Sequence, residues 1–287
     1  MIIFKHIIDI NSYRDSLQKM GQVTGFVPTM GALHAGHLSL IAEARAACDV
    51  VVSSVFVNPT QFNDPADFEK YPVTIEHDID MLEKAGCDVL FVPSVAEMYP
   101  EGLTAGKQFE LGYLEKILDG AYRPGHFQGV CRVMEKLLTV LHPDKLFLGQ
   151  KDYQQCMVLQ KLVKLMGMDT TIHICATQRE VDGLAMSSRN VRLSAAARQK
   201  APLIFQALTA IKQNIPFANP GDLKTGAALY LTTQGFKVDY VEIADATTLQ
   251  PAESWNKQTP LVALAAAFID GVRLIDNLLL VDEIAKL

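Results

Sequence analysis

Apolar and polar positions divide the chain into two parts with different rhythms. Up to about residue 184, short apolar runs alternate with stretches whose apolar residues recur every three or four positions. The runs cover residues 2–8, 23–27, 49–57, 88–93, 145–148 and 170–175. Several are nearly continuous and rich in β-branched residues, the pattern of strands buried on both faces. Helical patterns lie between them. One starts near Asn11, and one covers 37–47 with Leu38, Ile41, Ala42 and Ala46 on its expected inner face. Others lie within 64–86, closing at Gly86, over about 128–141, and in a stretch ending at Met166. Residues 100–125 are Gly-rich and aperiodic and read as irregular. Strands alternating with helices at this spacing predict a parallel, doubly wound, Rossmann-like α/β sheet.

Past residue 184 the order changes. Helical patterns at 195–214 and 222–233 precede apolar runs at 238–243, 261–267 and 272–281, the last two joined by a hairpin-like turn at Ile269-Asp270-Gly271. Helices followed by strands predict a smaller α+β domain. The expected division is therefore 1–184 for a nucleotide- and substrate-binding domain and 185–287 for a C-terminal domain closing over the site.

Composition narrows the class. The 287 residues are 49% hydrophobic and 20% charged, ordinary for a globular protein. A net charge of −6 and the lack of a dense Lys/Arg block argue against a general nucleic-acid surface. No apolar run reaches the length of a membrane span, and the first residues lack a signal-peptide layout. Five scattered cysteines without a CxxC or Cys/His cluster read as small buried thiols in a reducing cytosol, not as a metal site.

Four polar stretches stand where an α/β sheet places chemistry, beyond strand ends or at the domain junction. The first is Pro28-Thr29-Met30-Gly31-Ala32-Leu33-His34-Ala35-Gly36-His37. A strand, a Gly-containing turn and a helix start suit an anion, through free backbone N–H groups and the helix dipole. Gly31 to His37 has the spacing of a P-loop, but histidine replaces its lysine and Leu38 its hydroxyl. The others are Asn58-Pro59-Thr60-Gln61-Phe62, Gly149-Gln150-Lys151-Asp152-Tyr153-Gln154-Gln155 and Met186-Ser187-Ser188-Arg189-Asn190. Together they offer imidazoles, cations, hydroxyls and amides, and few carboxylates. That inventory suits charge stabilisation on a phosphate. Taken singly, each has a plainer reading: His34 and His37 as exposed helix-start residues, Lys151-Asp152 as a solvated ion pair, Ser187-Ser188 as a cap. No G-x-S-x-G elbow supports a serine hydrolase.

The four blocks, in this order and spacing, resemble the pantothenate synthetase (pantoate–β-alanine ligase) family among the HxGH nucleotidylyltransferases. The resemblance implies an ATP- and Mg²⁺-dependent cytoplasmic ligase, homodimeric, that adenylates pantoate and passes the acyl group to β-alanine. It implies catalytic roles for His34, His37 (the proton donor) and Lys151. The ATP site would comprise Thr29 to His37, Gly149, Gln150, Lys151 and Asp152, with Gln178, Met186, Ser187, Ser188 and Arg189. Pantoate would meet Gln61 and Gln155, with Met30, Phe62 and Val130 against its methyl groups. β-Alanine would meet Gln61, with Asn58 close by. The metal ligands stay unassigned.

Two positions depart from the family pattern: Val73 stands where arginine is usual, and Gln178 where an aliphatic residue is usual. Neither touches the histidines, Lys151 or the two glutamines. Another HxGH adenylyltransferase, acting on a different small acid or a phosphorylated acceptor, is the first rival reading, though the Gln61/Gln155 pair is poorly suited to a phosphorylated acceptor. An inactive nucleotide-binding regulator is the second.

Overall fold

The computed structural model describes residues 1–62, 65–103 and 106–280. It divides into two compact units. The first holds Met1–Gln150 and Gln154–Ala176; the second gathers Lys151–Tyr153 with the chain from Thr177 onward.

Six strands form the first unit's sheet: β1 (Ile2–Phe4), β2 (Thr24–Thr29), β3 (Val50–Val55), β4 (Val89–Phe91), β5 (Lys145–Gly149) and β6 (Thr171–Cys175). Their order is β1-β4-β3-β2-β5-β6 and every pairing is parallel. The helices are α1 (Ile7–Lys19), α2 (Ala35–Ala47), α3 (Pro65–Glu69), α4 (Ile75–Lys84), α5 (Val95–Met98), α6 (Leu118–Tyr122), α7 (His126–Leu141) and α8 (Tyr153–Met166).

Strand side chains alternate between two hydrophobic clusters, as a period of two requires. Phe26, Val50, Val52, Val89, Phe91, Leu146 and Leu148 join one cluster with residues of α1, α7 and α8. Val27, Val51, Val55, Leu90 and Phe147 join the other with residues of α2 and α4. Burial on both faces is why the inner strands read as nearly unbroken apolar runs; the edge strands β1 and β6 are exposed or half-buried.

Element boundaries moved where distant groups set them. The first strand ends at Phe4 and α1 begins at Ile7, not near Asn11, because Glu97 Oε1 accepts the Ile7 N–H at 2.8 Å. Within 100–125 the described residues are mostly irregular, as expected, with a 3₁₀ turn at Gly112–Glu115 and the short α6 set into them. The inner face of α2 is Leu40, Ile41 and Ala44, whereas Ala42 and Ala46 are exposed. Alanine fits either face, so it located the stripe poorly.

In the second unit, α9 (Ala195–Lys200), α10 (Leu203–Asn214) and α11 (Pro220–Thr233) precede β7 (Lys237–Asp245), β8 (Leu261–Ile269) and β9 (Val272–Leu279). The three strands form an antiparallel sheet with β8 central. The helix expected over 195–214 is broken in two at Pro202, which lacks the N–H needed to continue the ladder. Asp270 and Gly271, both at positive φ, make the two-residue hairpin between Ile269 and Val272. The last expected strand ends at Leu279; residue 281 lies outside the described residues.

Candidate active site

Winding reverses between β2 and β5: the chain runs outward through β3 and β4 on one side and through β6 on the other. Ligands of open α/β sheets sit beyond the carboxyl ends of strands at such a point. The histidine turn follows β2, and Gly149 and Gln150 close and follow β5.

The turn is bound internally to a degree its sequence did not suggest. Asp78, fully buried on α4, accepts the Ala32 N–H on Oδ2 at 3.0 Å and the Leu33 N–H on Oδ1 at 2.8 Å. Thr74 Oγ1 donates to the same Oδ1 at 3.2 Å. Gly31 N–H goes to Thr29 Oγ1, which itself donates to Ser54 O. Gly31 has φ +79°, and a Cβ there would stand 2.9 Å from Asp78 Oδ2 and 3.0 Å from a Val55 methyl. The expected row of free backbone donors is thus largely spent on the protein itself.

Gly36 N–H donates to His34 Nδ1 at 3.1 Å and His34 N–H to His37 Nδ1 at 3.3 Å, a reciprocal cap that starts α2 at Ala35. An Nδ1 lone pair that accepts a hydrogen bond carries no proton, so each neutral ring holds its proton on Nε2. The two rings lie 4.0 Å apart, both half-buried, as a pair of Nε2–H donors.

On the neighbouring strand, β3 leads to the 3₁₀ turn Pro59–Gln61. Asn58 is buried and makes the scaffold of that turn. Its Oδ1 accepts from Tyr99 OH (2.8 Å), Thr60 Oγ1 and Thr60 N–H, and its Nδ2 donates to Gln61 Oε1 (3.0 Å) and Gly129 O (3.2 Å). Gln61 Nε2 lies 3.0 Å from Met30 Sδ, which joins this turn to the histidine turn within one unit. Phe62 packs edge-on against Phe68 and Tyr71, and Val130 is buried on α7.

Sequence reasoning passed over His126. Its Nδ1 lies 2.8 Å from Gln61 O, so Nδ1 carries the proton, and Arg123 Nη1 faces Nε2 at 3.1 Å. The Gln154-Gln155 pair divides its work. Gln154 is buried and bonded to the backbone of Leu114, Ile117 and Asp119, while Gln155 is half-buried beside it.

The second unit holds the remaining residues singled out. Lys151 lies in the 3₁₀ turn Gln150–Asp152, its carbonyl accepting from Asn277 Nδ2 at 2.9 Å. Tyr153 OH donates to Ala246 O at 2.7 Å. Ser187 caps the 3₁₀ turn Ser188–Arg192, its Oγ accepting the Arg189 N–H at 3.3 Å. Gln178 exposes its side chain, and its carbonyl accepts the Met186 N–H. Val73, which belongs to the first unit, is exposed as well.

The five cysteines are free, four of them buried. Burial pushes Cys87 and Cys131 up to about 12 and Cys175 up to about 11, so these thiols stay protonated at neutral pH. Among the described residues no group of three His, Cys, Asp or Glu could hold a metal ion, and no helix is long and apolar enough to cross a membrane.

The family model described as pantoate-beta-alanine ligase matches residues 2–279. The chain belongs to the pantoate-beta-alanine ligase family. Similar relatives include a pantothenate synthetase of Cytophaga hutchinsonii, 43% identical over 284 residues, covering 98% of this chain and all of the relative. Another, from Cereibacter sphaeroides, is 44% identical and covers 96% of this chain and 98% of its own. Among solved structures, a pantothenate synthetase of Thermus thermophilus is 38% identical with a TM-score of 0.90, covering 98% of this chain and 99% of that one. A pantoate-beta-alanine ligase of Francisella tularensis, complexed with beta-gamma ATP and beta-alanine, is 40% identical with a TM-score of 0.81 and covers 98% of each chain. The chain is thus a member of a family of amide-forming ligases, with that family's fold.

Proposed function

We propose that this chain joins pantoate to β-alanine in two steps at the expense of ATP. The pantoate carboxylate attacks the α-phosphorus, pyrophosphate leaves, and a pantoyl adenylate remains. The β-alanine amine then attacks the activated carbonyl, expelling AMP and giving pantothenate. The observation that carries this reading is a juxtaposition within the first unit. Two imidazoles whose Nδ1 atoms are engaged by backbone N–H groups follow β2, and Met30 of the same turn brings its Sδ to 3.0 Å from the amide of Gln61, which follows β3. Donors for a phosphate and an amide for a hydroxy acid are what adenylation of a carboxylate needs.

In this reading His34 and His37 donate to phosphate oxygens, His37 also supplying a proton. Lys151 and Arg189 offset phosphate charge, and Ser187 and Ser188 donate to it. Gln150, Asp152, Gln178 and Met186 complete the nucleotide contacts. Gln61 and Gln155 hold pantoate between Met30, Phe62 and Val130. Gln61 receives β-alanine, with Asn58 behind it. No covalent enzyme intermediate is required, so positioning and fixed donors carry the rate. Mg²⁺ enters on the ATP phosphates as part of the substrate, the usual way this ion is held. A homodimer in the cytoplasm completes the proposal.

Isotope exchange between ATP and pyrophosphate tests it. Exchange should require pantoate and not β-alanine, and AMP and pantothenate should appear only when β-alanine is added. Exchange without pantoate, or none with it, overturns the assignment.

A further inference from the structure

Two consecutive residues of β9, Asp276 and Asn277, reach both segments of the second unit to which nucleotide contacts are assigned. Both are buried, at 5% and 2% exposure. Asn277 Nδ2 donates to the Lys151 carbonyl at 2.9 Å. Asp276 receives the Arg179 fork, Nη1 to Oδ2 at 2.6 Å and Nη2 to Oδ1 at 2.9 Å. The Asn277 N–H donates to Asp276 Oδ1 at 2.7 Å, and Arg179 Nη2 also reaches the Asn277 carbonyl at 3.2 Å. Arg179 in turn holds the loop that follows it. Its Nη1 donates to Gly183 O at 3.1 Å, its backbone bridges Ala185, and the Gln178 carbonyl next to it accepts the Met186 N–H.

A buried carboxylate–guanidinium pair contributes little stability over an apolar pair of similar volume, and its most defensible use is to fix one geometry. Here each bond runs to a backbone or an ion-pair partner that leads to Lys151 or to Met186. Burial raises the Asp276 carboxyl, and Arg179 and then, more weakly, the Asn277 N–H and the Lys151 charge act against that rise. We propose that Asp276 and Asn277 are positioning residues for adenylation: Asn277 fixes the backbone that carries Lys151, and Asp276, through Arg179, fixes the loop that carries Met186 to Arg189. This rests on the reading of Lys151 as a phosphate-binding cation.

The test is pantoate-dependent ATP–pyrophosphate exchange by the full chain carrying Asn277→Ala. Asn277→Leu, which keeps the volume of the amide but cannot donate, serves as a second variant. Each variant is checked for folding by circular dichroism and its thermal midpoint. A displacement of a catalytic group by about 1 Å costs on the order of 100-fold, so the maximal exchange rate should fall about 10- to 100-fold. The pantoate KM should stay near the parent value. In a Lys151→Ala background, whose residual exchange is followed at high enzyme concentration, adding Asn277→Ala should change nothing further. A folded Asn277 variant that exchanges at the parent rate overturns the proposal. So does an equal fold-loss with and without the Lys151 side chain. If Lys151→Ala alone leaves exchange intact, the reading beneath the proposal fails, and the proposal with it; if Lys151→Ala abolishes exchange and the Asn277 variants do not lower it, only the positioning role fails.

Discussion

At the scale of single residues, the histidine turn separates two tasks that one segment could have combined. In a P-loop the backbone amides themselves cradle phosphate. Here the Ala32 and Leu33 amides are given to the Asp78 carboxylate, and in the proposed reading it is the imidazoles that meet the anion. The two kinds of residue should therefore fail differently. His37→Ala removes one charge-stabilising donor and should slow exchange about 10²- to 10³-fold. It deletes a bond to the His34 N–H at a half-exposed helix start, so the thermal midpoint should move little. Asp78→Asn keeps the shape but offers one acceptor where two amides need one each, and its NH₂ then faces an N–H. Leaving a buried donor unmet costs about 1–3 kcal/mol. This variant should lower the midpoint and slow exchange together. Equal thermal midpoints for the Asp78→Asn variant and the parent would show that the carboxylate does not hold the turn.

At the scale of elements, the Gln61 turn is as much a product of α7 as of β3. His126 Nδ1–H holds Gln61 O, and Gly129 O accepts from Asn58 Nδ2. A Cβ on Gly129 would stand 2.0 Å from Thr60 O and 2.7 Å from Gln61 Cα, both backbone atoms that cannot swing aside. Gly129→Ala should therefore push α7 and the turn apart, at about 1–3 kcal/mol for overpacking. Because Gln61 moves with its backbone, the pantoate KM should rise while the ATP KM holds. An unchanged pantoate KM would mean that the turn does not depend on the close approach. The same contacts explain what could be read beforehand. The six strands and their winding were legible: burial on both faces writes nearly continuous apolar runs in the inner strands, and the edge strands β1 and β6 carry short apolar runs although they are exposed or half-buried. The starts of α1 and α2 were not, because Glu97 and the His34 cap fix them. Asp78, His126 and Asn277 were equally hidden. Each matters through partners between 45 and 126 residues away in the chain, and a lone acid, imidazole or amide in a polar stretch carries no periodicity.

At the scale of the whole molecule, two sets of buried residues close separately. The clusters on the parallel sheet draw only on the first unit, and the third cluster, from Leu184 to Leu280, only on the second. Lys151–Tyr153 belongs to the second unit although β5 and α8, which flank it, lie almost wholly in the first. The residues of the proposed chemistry therefore come from both units. Separate cores permit separate cooperative transitions, for which calorimetric and van't Hoff enthalpies disagree. Leu208 is fully buried on α10, and Leu208→Ala should cost about 2–5 kcal/mol. Scanning calorimetry should then show one transition displaced downward and the other unmoved. Pantoate-dependent exchange, assayed after brief heating at each temperature, should vanish with the displaced transition, because Lys151 and its Asn277 anchor unfold with that unit. Exchange that persists until the other transition would place the essential residues in the first unit alone, and a common downward shift of both transitions would make the two cores one cooperative body.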